Sequence, residues 1–373
     1  MGIPSADDQV RFLREVQALL EDGQFVATYK YALLIALADL SVESGVADDS
    51  PLEVPVRSIA EKFVEYYWQQ SAPFMGGDVA RVLQQNTGRQ ASVISELTRL
   101  RAEGVASLSQ LRSDPRLWRH TVGKIARIVR VMPLFKLQYV GGTLRAFLYA
   151  HHLHGDAITL GSGVAYCLRQ FHTLITGLAR DRWVAMVRKL PHNLYLVGQA
   201  EDVERFLFGA GREPIRQHLD LLIELQHGDC LYCQRRLDPS GVHVDHFVPW
   251  SLHRCDALPN LVAAHAACNL AKGDWLAAER HLGRWAERNE REGVDRHAVP
   301  VALFAAQCAG VTAIAGWAYD RAYDLGLPTW VRGRETVRLS SGYRELLPVN
   351  ALLWRNAQAE AVELGYREAS VNP

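Results

Sequence analysis

The 373-residue chain has no net charge: 41 lysines and arginines balance 41 aspartates and glutamates. That balance excludes attraction to an anionic partner through bulk charge, so any such contact has to come from a local patch. No uncharged apolar run reaches about eighteen residues, the length that marks a membrane-crossing helix, so no membrane span is expected. Residues 1–16 lack the apolar core of a signal peptide. Cysteine is scarce, six in all, and its spacing suits metal binding in a reducing compartment better than a disulfide framework. The expected location is therefore the cytoplasm. There is no internal repeat, low-complexity tract or long glycine-serine linker. What remains is a chain 49% apolar, enough for a sizeable core, and long enough for two or three domains.

Charge is unevenly distributed. Residues 1–70 are rich in acid, whereas residues 101–150 carry nine basic side chains against only Glu103 and Asp114. Within that basic segment the pattern predicts a helix over 118–132, ending before Pro133, with Lys124, Arg127 and Arg130 at steps of three. Such a stripe suits a phosphate backbone. A solvated helix face paired with the acidic segment is the plainer account, and composition alone does not separate the two.

Most of the chain reads as helix. Residues 29–42 (YKYALLIALADLSV) are apolar on nearly every face, the mark of a buried core helix. Residues 56–68 form an amphipathic helix, and residues 79–103 read as a helix broken near Asn86-Thr87-Gly88. Residues 135–140 suggest a short strand before the Gly141-Gly142 turn. His151, His152 and His154, with Asp156, form a histidine cluster that, lacking a second matching pair, reads as a polar loop rather than a metal site. Towards the end, residues 275–290 and 299–325 read as helices, 329–338 as irregular, 343–347 as a helical turn and 351–364 as a last helix.

Chemistry concentrates in residues 229–274, which hold four of the six cysteines. Cys230 and Cys233 form a C-x-x-C knuckle, and His265 and Cys268 form an H-x-x-C knuckle. Two knuckles supply four ligands, a closed tetrahedral zinc site that staples a segment too short to build its own core. Between them, residues 242–248 (VHVDHFV) alternate as a half-buried strand does, ended by Pro249. Asn260 precedes a short apolar run, Asn269 follows Cys268, and Lys272 lies one helical turn beyond Asn269. The order is strand, long loop, strand, helix.

In Cys230, Cys233, Asp245-His246, Asn260, His265, Cys268-Asn269 and Lys272, the segment resembles the HNH endonucleases, whose ββα-metal site commonly sits inside a zinc staple. The resemblance covers about fifty residues. It implies a mainly α protein with helical N- and C-terminal regions around a small zinc-stapled ββα-metal module. The corresponding domains are a helical region 1–225 containing the basic segment 101–150, the module 226–280, and a helical region 281–373. It implies metal-dependent hydrolysis of DNA phosphodiesters. His246 takes the proton from water, Asn260 holds its ring, and Asp245 and Asn269 give oxygen ligands to Mg²⁺ or Mn²⁺. Zn²⁺ sits on Cys230, Cys233, His265 and Cys268. Lys272, Lys124, Arg127 and Arg130 are candidate phosphate contacts, His243 is a solvated strand histidine, and Cys255 is a bystander.

Because neighbours on a strand point to opposite faces, the resemblance also implies a twisted or irregular strand at Asp245-His246. The helical flanks suggest a restriction or phage-defence effector. Two rivals are a zinc-stapled nucleic-acid binder without catalysis and a nuclease subunit activated by a partner. DNA is the expected substrate and RNA a further candidate. Cutting both strands would call for a homodimer.

Overall fold

The computed structural model describes residues 2–22, 25–45, 47–76, 79–150, 155–197, 203–209, 216, 218–238, 241–291 and 301–347. The chain forms two compact units, Met1–Ala210 and Gly211–Pro373. The expected mainly helical architecture, with one small ββα element, is present.

The first unit is built on α1 (Tyr29–Ser44), in which every residue from Tyr29 to Val42 is buried. An apolar surface on all sides needs neighbours on all sides. These include α2 (Val56–Gln70) and α4 (His172–Lys189), and α2 in turn packs on α3 (Pro115–Val131). Asp114 starts α3 by accepting from the Arg116 and Leu117 amides, with Pro115 in the first turn. The two ionisable side chains that α1 buries outside its tyrosines are both engaged. Lys30 donates to the Tyr139 carbonyl at 3.3 Å, and burial, then Lys136, lowers it to about 8. Asp39 accepts from Tyr66 Oη and meets His172 Nε2, each at 2.6 Å.

Residues 79–103 depart from the expected broken helix. Val79–Arg81 pairs as a strand with Phe74–Gly76, and helix begins only at Ser92. Cross-strand pairing outweighs the weak helical pattern there. The glycine turn is present, but the strand before it is shorter than 135–140: Pro133–Lys136 is helical, and only Tyr139–Val140 pairs with Thr143–Leu144 across Gly141 and Gly142, both at positive φ. The histidines at 151, 152 and 154 lie outside the described residues.

In the second unit β1 (Val242–His246) pairs antiparallel with β2 (Leu261–His265), and α5 (Ala266–Lys272) follows at once. The register runs unbroken from Val242 opposite His265 to His246 opposite Leu261. Of the twisted or irregular strand that the resemblance implies at Asp245-His246, the irregular form is therefore absent: no bulge interrupts the pairing. Helix α6 (Glu279–Arg291) lies against this pair. Phe247 stacks on Trp285 with centroids 4.8 Å apart, and the Trp285 indole donates to the Pro259 carbonyl at 2.8 Å.

Trp275 lies in a bend and residues 276–278 are extended rather than helical, because Trp330 N–H donates to Leu276 and Ala278 N–H donates to Trp330. Trp330 belongs to a hairpin of β3 (Pro328–Arg332) and β4 (Glu335–Arg338). It occupies the stretch read as irregular, and its turn contains Gly333 at positive φ. A long helix α7 (Val301–Asp324) precedes it. The terminal helix expected over 351–364 lies outside the described residues.

His281 on α6 gives the second unit a pH dependence. It is 1% exposed, donates from Nε2 to the Val331 carbonyl at 2.8 Å and stacks on Trp330. Burial, followed by Arg280 and Arg284, lowers it to about 4, although the hydrogen bond to Val331 opposes the shift. Between that value and the ordinary 6.5 the unfolded chain binds the extra proton, so stability rises with pH through this window. About 3 kcal/mol should be present above pH 6.5 and lost as pH falls to 4. Urea midpoints at pH 7 and 4.5 check this: His281→Gln should remove that part of the difference. An equal difference in both proteins would contradict it.

Candidate functional site

The zinc-ligand expectation is met in space. Ligand atoms of Cys230, Cys233, His265 and Cys268 all lie within 4.8 Å of one another. The first knuckle is shaped by backbone: Cys230 N–H donates to Arg235, Gln234 N–H donates to Cys230, and Gln234 takes a positive φ. The second knuckle sits where β2 becomes α5. His265 Nδ1 lies 3.3 Å from Cys233 Sγ, and its Nε2 donates to the Arg236 carbonyl at 3.1 Å. One ring nitrogen faces the sulfurs while a carbonyl fixes the other, the usual support of a ligating histidine.

The thiols respond strongly to each other. Burial raises Cys233, but hydrogen bonds from Arg235, Cys230 and His265 bring it down to about 7. Burial and the neighbouring Cys230 and Cys233 push Cys268 up to about 12. Three thiolates this close need a cation among them, so the donor set fits Zn²⁺. Cys255 is outside the cluster.

Strand β1 carries the remaining polar residues. Asp245 is buried, and its Oδ2 accepts from the Tyr232 hydroxyl and lies 3.1 Å from Lys272 Nζ. Those contacts leave Oδ1 as the oxygen for a hard cation. Asn269 on α5 donates from its amide nitrogen to His243 Nδ1 at 3.3 Å, which leaves its amide oxygen for a cation as well. His243 is exposed, as expected, but it has this partner. Each of the two residues thus keeps an oxygen of the kind that a hard divalent cation takes.

His246 ends β1 with its side chain 11% exposed and its Nε2 2.7 Å from Asp256 Oδ1. The Trp250 ring lies 5.1 Å from the imidazole.

Two residues act elsewhere than the sequence suggested. The Asn260 side chain accepts from Val248 N–H at 2.9 Å and donates to the Val248 and Cys255 carbonyls, while its own carbonyl accepts from Phe247 N–H. It holds the loop after β1, and the partner of the imidazole is Asp256. Lys272 is no surface phosphate contact in this conformation. Its side chain is 1% exposed, and Nζ donates to the His246 carbonyl at 2.9 Å and to the Gly273 carbonyl at 3.4 Å as well as pairing with Asp245. One turn beyond Asn269, it faces β1, where these acceptors compensate a buried ammonium.

Sequence reasoning missed Asp256 and the supports of β2. Asp256 is an acidic residue in the loop ten positions after His246, with no local pattern to single it out. Gln226 imitates a strand: its amide donates to the Ala263 carbonyl at 2.7 Å and accepts from Ala263 N–H at 2.8 Å. Arg288 is buried with no acid partner among the described residues and donates to the Leu261 and Pro259 carbonyls. Burial lowers it to about 10.

The other proposed phosphate contacts lie on α3 in the first unit. Lys124 pairs with Glu96 at 3.0 Å, and Arg130 pairs with the Asp156 carboxylate. Arg127 is exposed without an acid partner among the described residues.

Comparison with known proteins agrees with this geometry. Residues 230–274 match the family model of the HNH endonucleases. The second unit therefore carries a nuclease domain of HNH type, a class that uses divalent metals and acts on nucleic acid. Residues 9–206 match the domain of unknown function DUF8808, and because that match spans just over half of the chain, the protein belongs to the DUF8808 family. No curated protein and no solved structure matches the chain. Among the described residues no helix is long and apolar enough to cross a membrane.

Proposed function

We propose that the protein is a metal-dependent endonuclease hydrolysing DNA phosphodiester bonds, with His246 as general base. The observation that carries this reading is the His246–Asp256 pair, 2.7 Å apart. A carboxylate accepting from Nε2–H leaves the Nδ1 lone pair free to take a proton. In this scheme Nδ1 takes a proton from water, the water oxygen bonds to phosphorus, and the P–O bond to the leaving oxygen breaks. Asp245 Oδ1 and the Asn269 amide oxygen would hold Mg²⁺ or Mn²⁺, which would supply charge neutralisation at the phosphate and the leaving oxygen. Lys272 and Tyr232 hold Asp245 from the inside, and Asn260 holds the loop that carries the Asp256 side of the pair. Zn²⁺ on Cys230, Cys233, His265 and Cys268 is structural, because four protein ligands close its coordination.

A purely binding module has no use for an imidazole oriented by a carboxylate, which disfavours the non-catalytic reading. The joining of a nuclease module to a larger helical unit favours a restriction or phage-defence effector. Phage plating on cells producing wild-type or His246→Ala protein tests that role.

Asp256 is a positioning residue in this scheme. Asp256→Asn can present N–H to Nε2 and favour the wrong tautomer, so kcat should fall about 10–100-fold with KM little changed. Asp256→Glu should restore part of the rate. Steady-state cleavage of a labelled duplex separates these values, and an unchanged kcat in Asp256→Asn would remove Asp256 from the mechanism.

A further inference from the structure

Helix α3 presents a cationic face with an unusual centre. Its inner face buries Thr121, Val122, Ile125 and Val129. On the outer face Arg116, Arg119, His120, Gly123, Arg127 and Arg130 are all exposed. At 3.6 residues per turn these positions form one stripe, with Gly123 at its middle and Arg116 and Arg127 about 16 Å apart along the axis. Arg130 pairs with Asp156, but Arg116, Arg119 and Arg127 have no acid partner among the described residues. Arg119 donates to the carbonyl of Pro115 in its own helix.

Gly123 has no internal explanation. A Cβ built there meets nothing within 4 Å, so no neighbouring side chain or backbone in the described structure requires a glycine. A mid-helix glycine weakens the helix compared with alanine. An exposed glycine flanked one turn away by arginines does have one clear use. It removes the side chain that would hold a ligand off the helix backbone.

We propose that this face of the DUF8808 unit is a docking surface for a nucleic-acid phosphate backbone, which crosses α3 at Gly123 between Arg119 and Arg127. The positive stripe, in which Arg116, Arg119 and Arg127 have no acid partner among the described residues, supplies charge complementarity, and planar guanidinium groups suit phosphate oxygens. The choice of nucleic acid over another polyanion rests on the nuclease reading of the second unit. The surface differs from the expected stripe, because Lys124 is tied to Glu96 while Arg116 and Arg119 take its place.

The test uses the full, zinc-loaded chain carrying His246→Ala without Mg²⁺, so that binding is read apart from cleavage. Anisotropy with a labelled 30-base-pair duplex, as DNA and as RNA, is followed from 50 to 200 mM KCl. Each arginine-phosphate contact removed should flatten the slope of log K against log salt by about 0.9, so Arg116→Ala, Arg119→Ala and Arg127→Ala together should flatten it by about 2.7. Replacing the three with lysine should keep most of the slope. Gly123→Leu should bind about tenfold more weakly through displaced phosphate contacts, yet melt no lower than its parent. That combination keeps the test valid even where the triple variant folds poorly.

Unchanged affinity and slope in Arg127→Ala and Gly123→Leu would overturn the proposal, as would failure of the parent protein to bind either duplex. Loss of binding to phosphatidylserine vesicles or polyglutamate, with duplex binding intact, would overturn it in favour of another anion. Failure of the wild-type enzyme to cleave would sink the nuclease reading and leave a positive binding result standing.

Discussion

His246→Ala is expected to lower plasmid nicking and linearisation about 10²–10⁴-fold, with zinc content and melting temperature close to wild type. In the proposed scheme the large effect on rate follows from the loss of the proton acceptor that the Asp256 carboxylate orients, keeping Nε2 occupied and Nδ1 open. The small effect on stability follows from where the pair sits. Asp256 has a side chain 47% exposed, so water can replace the imidazole as its partner. The β1–β2 register, the α6 clamp and the metal ligands do not use the His246 side chain. Supercoiled plasmid incubated with Mg²⁺ or Mn²⁺, beside an EDTA control, separates nicked from linear product. Equal cleavage by wild type and His246→Ala would place the chemistry elsewhere.

Removal of zinc should have the largest effect on structure. Structural zinc contributes on the order of 10–16 kcal/mol in small zinc-binding peptides, and a whole domain is stable by about 5–15 kcal/mol. Cys268→Ser, or treatment with a strong zinc chelator, is therefore expected to abolish cooperative melting of the second unit. The aromatic signal of Trp285 and Trp330 should collapse in near-ultraviolet circular dichroism, because the rings Phe247 and Tyr232 that pack on them hang from the stapled segment. Cys255→Ser is the matched control: its thiol is outside the donor cluster, and the melt should not move. Elemental analysis should find one zinc per chain in the wild type and none in Cys268→Ser. A zinc-free wild type that melts normally would show that the staple is dispensable. Mild EDTA, by contrast, should stop cleavage without changing the melt, since in the proposed scheme two protein oxygens leave the catalytic cation's coordination open whereas four ligands close that of zinc.

The elements legible in the sequence were those with local signals. The two knuckles and the all-round apolar helix near residue 35 each state their structure within a few residues, and each is present; the strand read over 242–248 is present as Val242–His246, with Phe247 and Val248 already in a bend and buried. Asp256 was illegible because its role depends on a loop returning ten residues later to meet the imidazole. Lys272 was misread because one helical turn from Asn269 gives a direction only relative to the helix. Whether that direction is solvent or core depends on Asp245 and the His246 carbonyl across the strand. The β3–β4 hairpin was hidden for a different reason. Its Gly333 turn is a clear signal, but Trp330 is buried by residues far away in sequence, Tyr232 and His281, and by pairing with 276–278.

The support around β2 also bears on how two copies of this chain can meet. A two-stranded ladder has an outer row of peptide groups on each side, open to a strand from another molecule. On β2 that row is already in use. Leu261 N–H donates to Leu258, and the Leu261 carbonyl accepts from Arg288. Ala263 gives its N–H to Gln226, and its carbonyl accepts from both the Gln226 amide and Leu231 N–H. No hydrogen-bonding row is left there to extend, so β-augmentation along this edge is closed. An assembly that sets two HNH modules on opposite strands of one duplex therefore gains no added strand along β2.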